Sequence, residues 1–296
     1  MAGRTTTFSG SILEAPACLL GEGPTFDPHT GTAWWFDILG KMLVEYVLAT
    51  GAVRQHPLPA MGSVLARVDS ERQVIVTEEG LYLRQTGTGA MDLVTPIEAD
   101  NAATRSNDGR VHQSGALWFG TMGKNAETGA GTIYHVVRGT VTVLYPGISI
   151  PNAICFSPDG ATAYFTDTAV NKLMRVAVDP ATGLPSGEPE VLVDHSGSEG
   201  GIDGAVCDTD GVIWNARWDA GSVDAYSPDG EHLLSLEVPA GKSTCPAFVG
   251  ADAGRLLVTS AQEGMSREQL DRDPEAGKTF VLDHPVKGRF EPDYLL

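Results

Sequence analysis

Asp203 stands between Ile202 and Gly204 as an acid isolated in an apolar stretch. Two further residues with ligand-capable oxygens, Glu22 and Asn152, occupy the equivalent place in other units of the chain. Two carboxylates converging in a narrow space repel one another unless one is protonated or a cation lies between them. Two carboxylates and an amide carbonyl make an all-oxygen donor set, which suits one hard divalent cation: Ca²⁺ first, then Mg²⁺ or Mn²⁺, with Zn²⁺ less well served. The chemistry open to such a set is metal-assisted hydrolysis.

What places these residues together is a repeat. Short runs of Val, Leu, Ile, Tyr, Phe and Trp alternate with Asp-Gly, Pro-Asp-Gly and Thr-Gly turn signals, and no window sustains helical spacing. Six segments share a first strand, a polar turn and a strongly apolar second strand. The centres of the second strands, Trp35, Ile75, Trp118, Phe165, Trp214 and Leu257, lie 40, 43, 47, 49 and 43 positions apart. Third and fourth runs follow in most units, as in Lys172-Leu-Met-Arg-Val176 and Leu233-Leu-Ser-Leu-Glu237. Such a unit can bury its faces only against its neighbours, so the pattern predicts an all-β, six-bladed β-propeller with four-stranded blades, one domain over residues 1–296. The sixth blade has its third run at Lys278–Leu282. We expect its fourth strand from the N-terminal run Thr7–Leu13 rather than from the tail Phe290–Leu296, so that the two ends of the chain clasp the ring. The charged stretch Gln262–Gly277 reads as a surface excursion within that blade.

The first strand of each blade lines the central channel. Counting back 11 to 13 positions from the six anchors gives Glu22, Ser63, Asn107, Asn152, Asp203 and Cys245 at one end of it. Ser157-Pro-Asp-Gly160 and Ser227-Pro-Asp-Gly230 lie where a turn is needed and read as turns only.

Composition narrows the partners. With 38 acids against 20 bases the net charge is −18, which disfavours nucleic acid and anionic lipid surfaces. There is no apolar run of bilayer-spanning length and no secretion-signal pattern at the N-terminus, so a soluble cytoplasmic protein with no membrane partner is expected. Cys18, Cys155, Cys207 and Cys245 form no C-x-x-C pair and read as reduced, buried thiols. The seven histidines are dispersed and read as surface residues. Nucleophile-elbow, H-E-x-x-H, Walker and EF-hand patterns are missing.

Several motifs, taken as a set, are similar to those of the SMP-30/gluconolactonase/regucalcin family. They are Gly21-Glu22-Gly23-Pro24, Arg105-Ser-Asn107-Asp-Gly109, Leu117-Trp-Phe-Gly-Thr-Met122, Pro151-Asn152, Tyr164-Phe-Thr-Asp-Thr168 and Asp203-Gly204, which run through blades one to five in the family's order. The resemblance implies hydrolysis of a small-molecule sugar lactone with one divalent metal. It implies Glu22, Asn152 and Asp203 as metal ligands, Asp203 also as general acid/base, and Arg105 and Asn107 as substrate-binding residues. Lys124 and Asn125 match a loop that contacts substrate in some members. Ala153 and Ile202 depart from the Gly and Pro usual in the family at those places. In the mechanism so implied, the metal polarises the lactone carbonyl while Asp203 moves the proton. Two other readings stay open: a metal-dependent hydrolase of another ester or an organophosphate on the same scaffold, and a calcium-binding regulatory protein without turnover.

Overall fold

The computed structural model describes residues 4–296. The apolar runs become short antiparallel strands, four to a blade, and six such sheets form the expected propeller. The innermost strands are Gly21–Asp27, Gly62–Arg67, Thr104–Val111, Pro151–Phe156, Gly201–Cys207 and Ser243–Val249. Each packs against the innermost strand of the next blade, and Ser243–Val249 packs against Gly21–Asp27, which closes the ring.

The six anchor residues are all buried, for a reason that follows from strand geometry. Successive side chains point to opposite faces of a blade, so each second strand feeds two seams. Trp34 joins Leu65 and Ile75 in the seam between blades one and two, while Trp35 joins Leu257 and Val281 in the seam between blades one and six. A hydrophobic cluster fills each of the six seams.

The ring is clasped from the N-terminal side as expected. Gly10–Ile12 pairs antiparallel with Phe280–Leu282, the third strand of blade six, which is shorter than the run read from sequence. The chain adds a second clasp that the repeat did not announce: Arg4–Thr6 pairs parallel with His232–Glu237 as a fifth strand of blade five. The tail takes neither role. It crosses the far end of the channel, where Tyr294 and Leu295 donate backbone N–H groups to the carbonyls of Arg67 and Gly115, at 2.7 and 2.9 Å. Glu291 there meets Arg110 Nε at 3.2 Å.

Gln262–Gly277 is a surface excursion carrying one short helix, Arg267–Arg272, capped by Ser266 and Gln269 acting reciprocally. All four cysteines are buried free thiols. Two histidines depart from the surface reading. His112 is wholly buried, its Nε2 donating to the Gly160 carbonyl at 3.0 Å and its Nδ1 accepting from Ser114 N at 3.1 Å. His135 is buried against the Thr182 carbonyl at 2.9 Å. Both tie a hairpin of blade three to blade four, a contact that one strand's sequence cannot reveal.

Candidate functional site

In every blade the ladder between the innermost strand and its neighbour slips near its start. The slips fall after Glu22, Gly62, Ser106, Asn152, Ile202 and Ser243. A bulge bends the strand and re-aims a side chain, and here six bulges in register turn Glu22, Asn107, Asn152 and Asp203 into one end of the channel. The backbone cost falls on the following residue. Gly23 has φ +54°, and a Cβ there would meet the Ser63 carbonyl at 1.9 Å. Ala153, buried, takes the same left-handed conformation at φ +54°, at a cost of about 1–2 kcal/mol for an L-residue with a side chain.

A cavity of about 460 Å³ opens at this end, and Glu22, Arg105, Asn107, Lys124, Asn125, Asn152 and Asp203 all line it. Every residue given a ligand or substrate role from the sequence therefore reaches one space, whereas Ser63 and Cys245, the equivalents in blades two and six, do not line it. Glu22 and Asp203 are each only 4% exposed. Burial and the neighbouring charge of Asp108 push the Glu22 carboxyl up to about 8, against partial relief from the Gly23 N–H, 2.9 Å from Oε2, and from Arg110 and Arg105. Burial, then Glu22 and Asp108, hold Asp203 well above the usual carboxylate range.

The amides are linked across blades. Arg105 Nη1 donates to Asn107 Oδ1 at 2.8 Å, and Asn107 Nδ2 donates to the Pro151 carbonyl and to Asn152 Oδ1, both at 2.9 Å. Asn152 Nδ2 donates to Thr168 Oγ1 at 2.9 Å, and Thr168 donates to the Ile202 carbonyl at 2.7 Å. At the rim Lys124 Nζ sits 2.5 Å from Glu78, and the Asn125 amide is turned onto Glu127 Oε1 at 2.8 Å. Neither rim side chain is held toward the carboxylates.

Among the polar and aromatic residues that line the cavity, sequence reasoning missed Thr168, Trp218 and Glu263, and it missed the buried Asp108 and Arg110 beneath them. Thr168 closes a motif already noted, and Trp218 ends the second strand of blade five. Glu263 lies in the excursion of blade six, which carries no repeat signal. The departure at 202 has a physical counterpart: the N–H that a proline would lack donates to Asn171 Oδ1 at 2.8 Å. Asn171 in turn holds the carbonyls of His195 and Gly200, so the mouth loop is pinned through Ile202.

No group of three or more carboxylate, imidazole or thiol side chains gathers for a cation anywhere among the described residues. A metal in this cavity would take the two carboxylates and the Asn152 amide. The donors fit a hard divalent cation: all are oxygens, and the two acids are buried beside one another with only partial relief from Arg105 and Arg110. Asp108 Oδ1, buried below them, has no hydrogen-bond partner, which adds to the negative field that a cation would relieve.

A model of the SMP-30/gluconolactonase/LRE-like region matches residues 20–262. A Rhizobium meliloti (strain 1021) protein, provisionally named a sugar lactone lactonase, is 58% identical over 98% of both chains. A pentonolactonase of Haloferax volcanii is 34% identical over 93% of this chain and 94% of its own. Among solved structures, a calcium-binding protein, regucalcin, from Agrobacterium tumefaciens str. C58 superposes with a TM-score of 0.98 at 55% identity, covering 99% of this chain and 100% of that one.

Proposed function

The chain belongs to the SMP-30/gluconolactonase/LRE-like family, and from that premise we propose that it hydrolyses the ring ester of a sugar lactone, using one divalent cation held by Glu22, Asn152 and Asp203. The observation that carries this reading is the buried pair of carboxylates, both pushed above their ordinary range, beside an amide oxygen and an arginine in one cavity. Ca²⁺ is the cation we favour, supported by the oxygen donors and by the calcium-binding description of the Agrobacterium structure. The names of the curated relatives support a sugar lactone as substrate.

When bound, the cation would polarise the lactone carbonyl. Asp203 accepts a proton from the attacking water as its oxygen bonds to the carbonyl carbon, and returns a proton to the ring oxygen as the C–O bond breaks. The product is the open-chain hydroxy acid. Arg105 and Asn107 orient the sugar hydroxyls and stabilise developing negative charge, and their mutual hydrogen bond organises them before substrate arrives. The rim residues Lys124 and Asn125 have an accessory part in substrate contact, since each is already engaged by an acid. The cavity is surrounded by protein on the channel side and open at the rim, which suits a small polar ring in a soluble setting with no nucleic-acid or membrane partner.

The test is a panel of aldonolactones assayed by acid release, with a phosphotriester and a simple aryl ester alongside. We expect turnover of at least one sugar lactone, abolished in Asp203→Ala. Turnover of the phosphotriester alone would shift the reading to an organophosphate hydrolase on this scaffold. Calcium binding with no turnover of any ester would leave a regulatory calcium-binding protein.

A further inference from the structure

Thr168 belongs to none of the roles above, yet its hydroxyl sits at a junction between two of the proposed ligands. The hydroxyl has one hydrogen, and that hydrogen goes to the Ile202 carbonyl at 2.7 Å, an atom that can only accept. Toward Asn152 the hydroxyl must therefore accept, so the atom of Asn152 facing it is the NH₂. The other end of the relay agrees. Arg105 can only donate, so it faces Asn107 Oδ1, and the Asn107 NH₂ then faces the Pro151 carbonyl and Asn152 Oδ1. With both ends fixed, neither amide can flip without placing donor against donor or acceptor against acceptor.

The scaffold that holds Thr168 is itself tied down. Its backbone N–H donates to the Ile150 carbonyl at 2.9 Å. The carboxylate of Asp167, one residue earlier, accepts from Ser149, Ile150 and Ala169 at 2.8 to 3.1 Å. The Thr168 hydroxyl thus spans blade four and blade five, fixing the Asn152 amide on one side and the backbone immediately before Asp203 on the other.

We propose that Thr168 is a positioning residue for the cation: its hydroxyl presents the oxygen, not the NH₂, of Asn152 to the site and sets the separation of Asn152 from Asp203. The inference rests on the metal reading above. It assigns Thr168 no contact with substrate.

The experiment is calorimetric titration of Ca²⁺ into chelator-stripped protein, comparing the unsubstituted chain with Thr168→Val, Thr168→Ala and Thr168→Ser. Removing a partner that orients a metal ligand weakens metal affinity by about 10- to 100-fold, and that loss is expected for Val and Ala. Ser, which keeps the hydroxyl, should stay within about threefold of the unsubstituted protein by the same measure. At saturating Ca²⁺ the Val variant should recover its kcat with little change in KM. Should the Val variant not fold, the smaller Ala variant carries the comparison. A purely structural role would lower the melting temperature while leaving the Ca²⁺ affinity of the folded variant unchanged, and that result overturns the inference. If the unsubstituted protein binds no Ca²⁺, the metal reading itself has failed, an outcome distinct from equal binding by all four chains.

Discussion

Replacing Glu22 by Gln should raise the stability of the metal-free protein at pH 8, and by much less when calcium is present. Gln keeps the shape and the acceptor for the Gly23 N–H but removes the charge. The sign comes from linkage. In the unfolded chain Glu22 ionises near its ordinary 4.5, whereas in the fold it holds its proton to about 8. Between those values the folded state binds more protons, so stability falls as pH rises. The rise from 4.5 to about 8, at about 1.4 kcal/mol per pH unit, sets a ceiling of about 5 kcal/mol at pH 8 and little at pH 5. Relaxation and water entry reduce this, and we expect roughly 2–4 kcal/mol. For 296 residues the melting entropy is about 0.6 kcal/mol/K, so the melting temperature should rise by about 3–6 °C in chelator at pH 8. Excess Ca²⁺ closes much of that gap, because the unsubstituted protein gains about 2.7 kcal/mol at a hundred times its Kd and the variant gains less. Thermal unfolding followed by circular dichroism at pH 5 and pH 8, with chelator and with Ca²⁺, reads all four conditions. An equal drop at both pH values in chelator, or an undiminished response of the variant to Ca²⁺, would refute the reasoning.

Asp203→Asn should reduce kcat by about 10²- to 10⁴-fold, the contribution of a positioned acid/base, while circular dichroism shows the fold intact. Arg105→Ala should raise KM for the lactone and lower kcat/KM by about 10- to 100-fold, since it removes a charged donor from the buried wall; steady-state kinetics separates the two parameters. Lys124→Ala should change kcat/KM by less than about threefold, because its ammonium is paired with Glu78 at a partly exposed rim. Glu291→Leu should destabilise by about 1–3 kcal/mol in urea unfolding, as it removes the ion-pair partner of the buried Arg110, which keeps its hydrogen bonds to Cys245 Sγ and to the Gly109 and Pro246 carbonyls.

Much of this molecule was legible in its sequence because a propeller repeats one unit. Spacing alone located Trp35, Trp118 and Trp214 in the seams, and the same register carried Glu22, Asn152 and Asp203 to one cavity. What stayed hidden lacks that periodicity. Arg4–Thr6 joins blade five in parallel, the tail delivers Glu291 to Arg110, and Glu263 enters from an irregular excursion; each contact joins distant positions through no repeated pattern. The bulges behind the proposed ligand side chains were hidden as well, since a bulge is a property of two paired strands. Thr168 stood in a recognised motif, but its part depends on where its single hydrogen goes, which requires Asn152 and Ile202 in space. His112 and His135 show the reverse error: polarity suggested the surface, and hydrogen bonds to neighbouring hairpins made burial possible.

The central claim is that a cation held by Glu22, Asn152 and Asp203 is required for opening a sugar lactone. The most direct measurement is the initial rate of hydrolysis of the best aldonolactone by chelator-stripped protein as Ca²⁺ is titrated in. The account predicts negligible rate in the stripped protein and a rise that saturates at one ion per chain. Full activity in the stripped protein, or a rate indifferent to added Ca²⁺, Mg²⁺, Mn²⁺ and Zn²⁺ alike, would contradict it.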